Sequence, residues 1–294
     1  MIDPETRLEE PTNLPDVIAL LSEYEGKAKL IAGGTDIVVD MRNGDLRPEM
    51  LVSLARVEGL HAIEEIDDEL WIGALVTPNE LASNRDLPNW LPALIEAAHC
   101  MASYPIRNIA TIGGNLCSAS PSADLAPPLM AARAEIHVHN KDGETRRPLS
   151  DFFVGVKRTK LGSVDVLTHV VISKPPRRTG SAYCPFKLRG ANALAVASSA
   201  VWLHLDEQGS IVEARIVLGA VAPFPMLAVR SSELLTGKQP SDELFEEVAS
   251  QASREAKPIT DVRGTEAHRR SLVEVLTRRA LEEALSRART GGAS

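Results

Sequence analysis

The hydrophobic pattern divides the chain into short apolar runs punctuated by glycine, proline and paired acids. Residues 29–32 and 51–54 read as two short strands. Between them, residues 36–41 have the length for one or two helical turns, stopped at Asn43-Gly44 by a residue suited to a left-handed cap. Residues up to about 57 therefore predict a small βαβ-type lobe. Residues 61–66 and 69–74 flank Asp67-Asp68 and predict a hairpin. Thr77-Pro78-Asn79-Glu80 has the makings of a helix start: a capping hydroxyl, a proline at the first helical position and a capping-box glutamate. Residues 91–101 are mostly apolar and predict a buried helix, and residues 124–132 a shorter one. Residues 135–139 alternate as a strand that Asp142-Gly143 turns into another, and the β-rich run 166–172 closes this part.

Lys174-Pro175-Pro176-Arg177-Arg178-Thr179-Gly180 is polar and rich in breakers, which predicts an irregular boundary. Beyond it, residues 195–205 and 211–221 predict a long hairpin around Glu207-Gln208-Gly209. Helical patterns follow over 230–235, 241–256 and 268 to about 287. Strands followed by helices predict an α+β domain. The expected organisation is a domain over 1–176, with lobes of about 1–57 and 58–176, and a second domain over 180–289. No internal repeat is visible.

The chain has 294 residues, enough for two domains, and a net charge of −8, which argues against a nucleic-acid partner. No apolar run reaches the roughly 18 residues of a membrane span. Met1-Ile2-Asp3-Pro4-Glu5 is acidic and unlike a signal peptide, so a cytoplasmic location is the expectation. Cys100, Cys117 and Cys184 are far apart and odd in number. They predict neither a disulfide framework nor a cluster or zinc site in this chain. The histidines show no HxxxH or HExxH spacing. His137 and His139 share one face of a predicted strand and read as a solvated or capped pair, so no metal site is expected. Arg269, Arg270, Arg278 and Arg279, with Glu274, Glu282 and Glu283 interspersed, predict a salt-bridged amphipathic helix.

The candidate chemistry lies in two glycine pairs, in Ile31-Ala32-Gly33-Gly34-Thr35-Asp36 and in Ala110-Thr111-Ile112-Gly113-Gly114-Asn115. Glycine lets main-chain N–H groups approach a ligand and permits positive φ, and successive inward N–H groups make an anion cradle. Two such cradles suit a ligand with two phosphates, and a dinucleotide such as FAD fits. Thr35, Thr111 and Asn115 are placed to add side-chain hydrogen bonds. The GxGxxG and GxxxxGK[ST] fingerprints are absent, which argues against a doubly wound nucleotide binder.

LIAGGTDI (Leu30, Ile31, Ala32, Gly33, Gly34, Thr35, Asp36, Ile37), ATIGGNL from Ala110 and then Ser120-Pro121-Ser122-Ala123-Asp124 resemble the FAD-binding subunits of the molybdenum hydroxylases. That family takes in xanthine dehydrogenase, aerobic carbon monoxide dehydrogenase and 4-hydroxybenzoyl-CoA reductase. The resemblance continues through residues 183–187, Arg189, Leu218-Gly219-Ala220-Val221-Ala222-Pro223 and Thr260-Asp261-Val262-Arg263-Gly264. It departs at Ala191-Asn192-Ala193, where the family often has an aspartate, and it lacks the reductase's cysteine-rich insertion.

The resemblance implies an α+β fold: a two-lobed FAD-binding domain of the vanillyl-alcohol oxidase/PCMH type, then an α+β C-terminal domain. It implies that residues 30–37 wrap the pyrophosphate and that Ala110, Thr111, Gly113, Gly114 and Asn115 face it from the other side. Asp124 would accept from cofactor hydroxyls, while Leu167, Tyr183 and Lys187 would lie near the isoalloxazine. It implies an electron-transfer role with no catalytic acid–base residue in this chain. The partners would be a small subunit with [2Fe-2S] clusters and a large subunit with molybdenum-pterin, in a dimer of heterotrimers. The rival readings are a self-standing FAD-dependent oxidoreductase and a non-catalytic nucleotide-binding or assembly module.

Overall fold

The computed structural model describes residues 5–84, 87 and 90–290, so all of the acidic Met1-Ile2-Asp3-Pro4-Glu5 read above except Glu5 lies outside the described residues. The first lobe contains β1 (Arg7–Glu9), α1 (Leu14–Glu23), β2 (Ala28–Ile31), α2 (Ile37–Asn43) and β3 (Met50–Ser53). Its strands form an all-parallel sheet in the order β1-β3-β2. Gly44 caps α2 at φ 83°, as the Asn43-Gly44 stop predicts. Strand β1 and helix α1 add to the predicted elements. Asn13 caps α1 by accepting from the Asp16 N–H at 2.9 Å.

The second lobe opens with the hairpin β4 (Ile63–Ile66) and β5 (Glu69–Gly73), with Asp67 and Asp68 both at positive φ, the geometry of a primed two-residue turn. Helix α3 (Pro78–Ser83) carries the complete Thr77/Glu80 capping box. Then come α4 (Pro92–Cys100), α5 (Tyr104–Arg107), α6 (Ile112–Cys117) and α7 (Ala126–Ala131). Strands β6 (Glu135–Asn140) and β7 (Gly143–Pro148), the small pair β8 (Phe153–Gly155) and β9 (Arg158–Thr159), and β10 (Val166–Ser173) follow. The main sheet is antiparallel, in the order β4-β5-β10-β6-β7. One face packs on α3, α4, α6 and α7 through Leu81, Leu94, Leu116, Leu129, Ile136 and Ile172, all essentially buried.

The third part is a second antiparallel sheet, β11 (Thr179–Lys187), β12 (Ala195–Leu205), β13 (Ile211–Gly219) and β14 (Met226–Leu227). Helices α8 (Val229–Leu235), α9 (Asp242–Glu255) and α10 (Glu266–Arg289) cover one face. The other face meets α4 and α7, and Tyr183, Ala200, Trp202 and Val217 join the second lobe's core. This two-sided burial explains why β12 reads as a continuous apolar run with buried Ser198 and Ser199 rather than as an alternation. Thr277 of α10 donates to Ser199 Oγ at 3.0 Å.

The expectation of irregular structure over 174–180 holds only in part, because β11 begins at Thr179. A Cβ on Gly180 would sit 2.0 Å from the Ala284 carbonyl oxygen and 2.6 Å from the Ala288 nitrogen. This glycine is needed for close approach of strand and helix, not for a turn. The C-terminal helix is salt-bridged as expected at Arg270–Glu266, Arg278–Glu282 and Arg287–Glu283. Arg269 differs: it is 3% exposed and donates to the Val196 and Ala220 carbonyls and to Asp261.

Gly180→Val should force α10 off β11 and cost about 3 kcal/mol or more. An unchanged urea midpoint would show that helix and strand are not pressed together there.

Candidate functional site

The first glycine pair lies between the end of β2 and the start of α2. Gly33 has no room for a side chain. A Cβ there would lie 1.7 Å from the Ile109 carbonyl oxygen, 2.6 Å from its carbon and 3.1 Å from Ala110 Cα. Main chain thus meets main chain between residues far apart in sequence, and the two glycine segments converge. Gly34 adopts φ +72°, which reverses the chain direction in the left-handed region. Its missing Cβ would contact Ile31 and Val38 at 3.4 Å. Among the described residues, the main-chain N–H groups of Ala32, Gly33, Gly34, Thr35 and Asp36 donate to no protein acceptor. The Asp36 side chain caps nothing, although the residue stands at the N-cap of α2. Five consecutive unpaired donors on a turning segment fit an anionic ligand.

The second glycine pair corrects the expectation of a matching loop cradle. Gly113 and Gly114 lie in the first turn of α6, which Thr111 caps by accepting from the Gly114 N–H at 3.0 Å. Ile112 donates to the Val76 carbonyl, Gly113 to Ala74 and Asn115 to Thr111, so these amides are already paired. Gly113 is required for packing, because a Cβ would fall 2.8 Å from both Cβ and O of Ala74. Gly114 is exposed and offers a side-chain-free surface. The Asn115 side chain accepts at Oδ1 from the Leu125 N–H at 3.3 Å, tying α6 to the segment that carries Asp124. Leu30, Ile31 and Ile37 are half-buried supports of the first segment, whereas Ala110 is buried against Gly33.

Asp124, Tyr183 and Lys187 come together in the interior. The Tyr183 hydroxyl donates to Asp124 Oδ1 at 2.9 Å. Lys187 Nζ donates to Oδ2 at 3.0 Å and to the Cys100 carbonyl at 2.7 Å. The side chains of Lys187 and Asp124 are 9% and 5% exposed. Burial pushes the Asp124 carboxyl above its ordinary range, with Lys187 and the Tyr183 hydroxyl opposing. Burial, and then the Asp124 charge, raise the Tyr183 phenol well above its usual value, so it remains a donor. Burial likewise lifts the Cys100 thiol to about 11. Leu167 is buried in β10, beside a β-bulge and beneath α6. The structure therefore gathers the C-terminal candidates around one carboxylate rather than leaving Lys187 as a solvated charge.

Sequence reasoning missed the clamp that holds this cluster. Glu96 of α4 accepts from the Tyr183 N–H at 2.8 Å and from Arg287 at 2.5 Å, and Arg287 also donates to the Ser181 carbonyl at 2.7 Å. The available signal was a lone carboxylate within an apolar helix. A second missed support is Arg107, which donates to Asn79 and to the Met101 carbonyl and braces the chain ahead of α6.

Comparison with known proteins gives a consistent result. Residues 4–175 match the family described as FAD binding domain in molybdopterin dehydrogenase. Residues 181–284 match the CO dehydrogenase flavoprotein C-terminal domain. The chain is 28% identical to the xanthine dehydrogenase FAD-binding subunit of Escherichia coli O157:H7, over 94% of both chains. It is 29% identical to the carbon monoxide dehydrogenase medium chain of Hydrogenophaga pseudoflava, over 98% of this chain and 99% of that one. A solved carbon monoxide dehydrogenase structure from H. pseudoflava superposes with a TM-score of 0.93 at 29% identity, covering 98% of this chain and 99% of that one. Quinoline 2-oxidoreductase from Pseudomonas putida 86 gives 0.90 at 28% identity, with the same coverage of both chains.

Asp124→Asn removes the anion beside a buried ammonium and should cost about 3–5 kcal/mol. Tyr183→Phe, which removes one hydroxyl donor to the carboxylate, should cost less, about 1.5–3 kcal/mol. Equal losses in denaturant titrations would show that charge pairing does not hold the cluster.

Proposed function

The chain belongs to the FAD-binding family of the molybdopterin dehydrogenases, and from that premise we propose how its residues serve the cofactor. The protein is the FAD subunit of a heteromeric molybdenum hydroxylase. When bound, FAD supplies the redox chemistry, exchanging electrons with the [2Fe-2S] clusters of a partner and with an external acceptor. The residues present fit that group. The contact of Gly33 with Ile109 and Ala110, beside five unpaired amides, carries the reading.

In this assignment the Ala32–Asp36 amides donate to the pyrophosphate, flanked by Leu30, Ile31 and Ile37. Gly114 offers close approach from the second segment, with Thr111, Gly113 and Ala110 fixing its position and Asn115 at its edge. Asp124 retains lone pairs for a cofactor hydroxyl beyond the two donors it already holds. Leu167, Tyr183 and Lys187 adjoin the isoalloxazine end. There the Lys187 ammonium favours added electron density, and the Asp124 carboxylate moderates it.

The proposed partners are a small [2Fe-2S] subunit and a large molybdopterin subunit, assembled as a dimer of heterotrimers in the cytoplasm. The relatives named as FAD-binding or medium subunits of multi-subunit dehydrogenases support partners of this kind. No helix among the described residues is long and apolar enough to cross a membrane.

Gly33→Ala should part the two glycine segments and yield flavin-poor protein that keeps its α+β circular dichroism. A full FAD-to-protein ratio by absorbance would remove the first segment from the site. Lys187→Met should retain FAD but make its reduction potential more negative, by ~30 mV for each ~1.4 kcal/mol of lost stabilisation. An unchanged potential in spectroelectrochemical titration would place Lys187 away from the flavin.

A further inference from the structure

The outer face of the five-stranded sheet carries side chains with no part in the flavin assignment. Along β6, alternation sends Ile136 and Val138 into the core and His137 and His139 to the opposite face. Cross-strand register sets Glu144 of β7 opposite His139 and His169 of β10 opposite His137. The His139 Nε2 lies 3.1 Å from Glu144 Oε2. The His137 and His139 ring centroids are 5.2 Å apart, and Trp71 packs edge-on against His137 at 5.1 Å. One ligand atom from each of His137, His139 and Glu144 falls within 4.8 Å of the others.

We propose that these three residues form a binding site for one first-row divalent cation of the zinc class, with a remaining coordination position open to solvent. Two imidazoles and a carboxylate select such a cation over magnesium or calcium, which prefer all-oxygen shells. Bonds of about 2.0–2.1 Å place tetrahedral ligands about 3.4 Å apart, so a set within 4.8 Å need close by at most about 1.4 Å. His137 and His139 are half-buried and Glu144 is exposed, so side-chain rotation can supply that movement. The backbone does not have to move, because the β6–β7 ladder already fixes the three positions.

The surrounding charge favours a cation. Arg146 of β7 faces the same area, but its guanidinium is held by Glu69 of β5 at 2.6 Å and by Glu135 of β6 at 2.5 Å. Three carboxylates against one guanidinium leave the patch negative while the imidazoles are neutral. Burial lowers the pKa of His137, with Arg146 and His139 acting in the same direction and Glu144 opposing. Burial also lowers that of His169, which Glu64 of β4 faces as well. Spacing along the sequence could not show this set, because its third member arrives from the neighbouring strand.

The test uses the full chain, treated with chelator and titrated with Co²⁺ and then Zn²⁺. The expected result is one saturable Co²⁺ per chain, with d–d absorption of nitrogen and oxygen ligation, displaced by Zn²⁺ and released between pH 7.5 and 5.5 as protons compete. His139→Ala and Glu144→Gln should each weaken binding at least tenfold. His99→Ala should leave it unchanged. Matching thermal melts of the metal-free variants separate ligand loss from misfolding. Equal affinity in wild type and His139→Ala, thiolate-to-cobalt charge-transfer bands, or no saturable binding would each overturn the proposal.

Discussion

The architecture turns on a contact that no side chain could occupy, Gly33 against the Ile109 carbonyl and Ala110. The parallel first lobe delivers one segment and the antiparallel second lobe the other. A methyl group at this point would separate them. Beside this main-chain contact, the amides of 32–36 have no protein acceptor. Unpaired donors in a folded protein must be served by water or a ligand. In the proposed assignment the packing that joins the lobes also supports the anion site, so cofactor binding and lobe assembly would share one constraint.

A second constraint acts at the other end. Asp124 belongs to the second lobe, whereas Tyr183 and Lys187 belong to the C-terminal sheet, and the three are buried together. A buried ion pair adds little stability by itself, but losing either member leaves an uncompensated charge. That asymmetry makes the pair a determinant of position. The Glu96 clamp reinforces it, because one carboxylate ties the Tyr183 backbone to Arg287 of the last helix.

Much of this was legible in the sequence, for local reasons. The Thr77 capping box, the Asp67-Asp68 hairpin turn and the Gly44 stop are short-range chemistry that tertiary packing does not override. The glycine pairs marked both converging segments, yet the second pair is the start of α6, and Gly113 is there to meet Ala74. A glycine needed for close packing and one needed for a ligand look the same in a sequence. Gly180 posed the same ambiguity and was read as a breaker. Asp124, Tyr183 and Lys187 could be named through family resemblance, but their mutual pairing could not, since it depends on two sheets meeting across α4 and α7. Glu96 and Arg287 were silent for the same reason.

The division between the two ends bears on how such a subunit works. The amide segment is set by backbone geometry, and its donors do not titrate. It can hold a diphosphate without responding to pH or to redox state. The Asp124–Lys187 cluster is charged, buried and shared between two domains, so small changes in its geometry alter the local field strongly. In the proposed assignment the two properties serve different ends, a backbone anchor that does not respond to electron arrival and a charged pair whose field would act on the ring. With the uncharged contact between the lobes and the charged pair at the junction with the C-terminal sheet, these two requirements would not interfere.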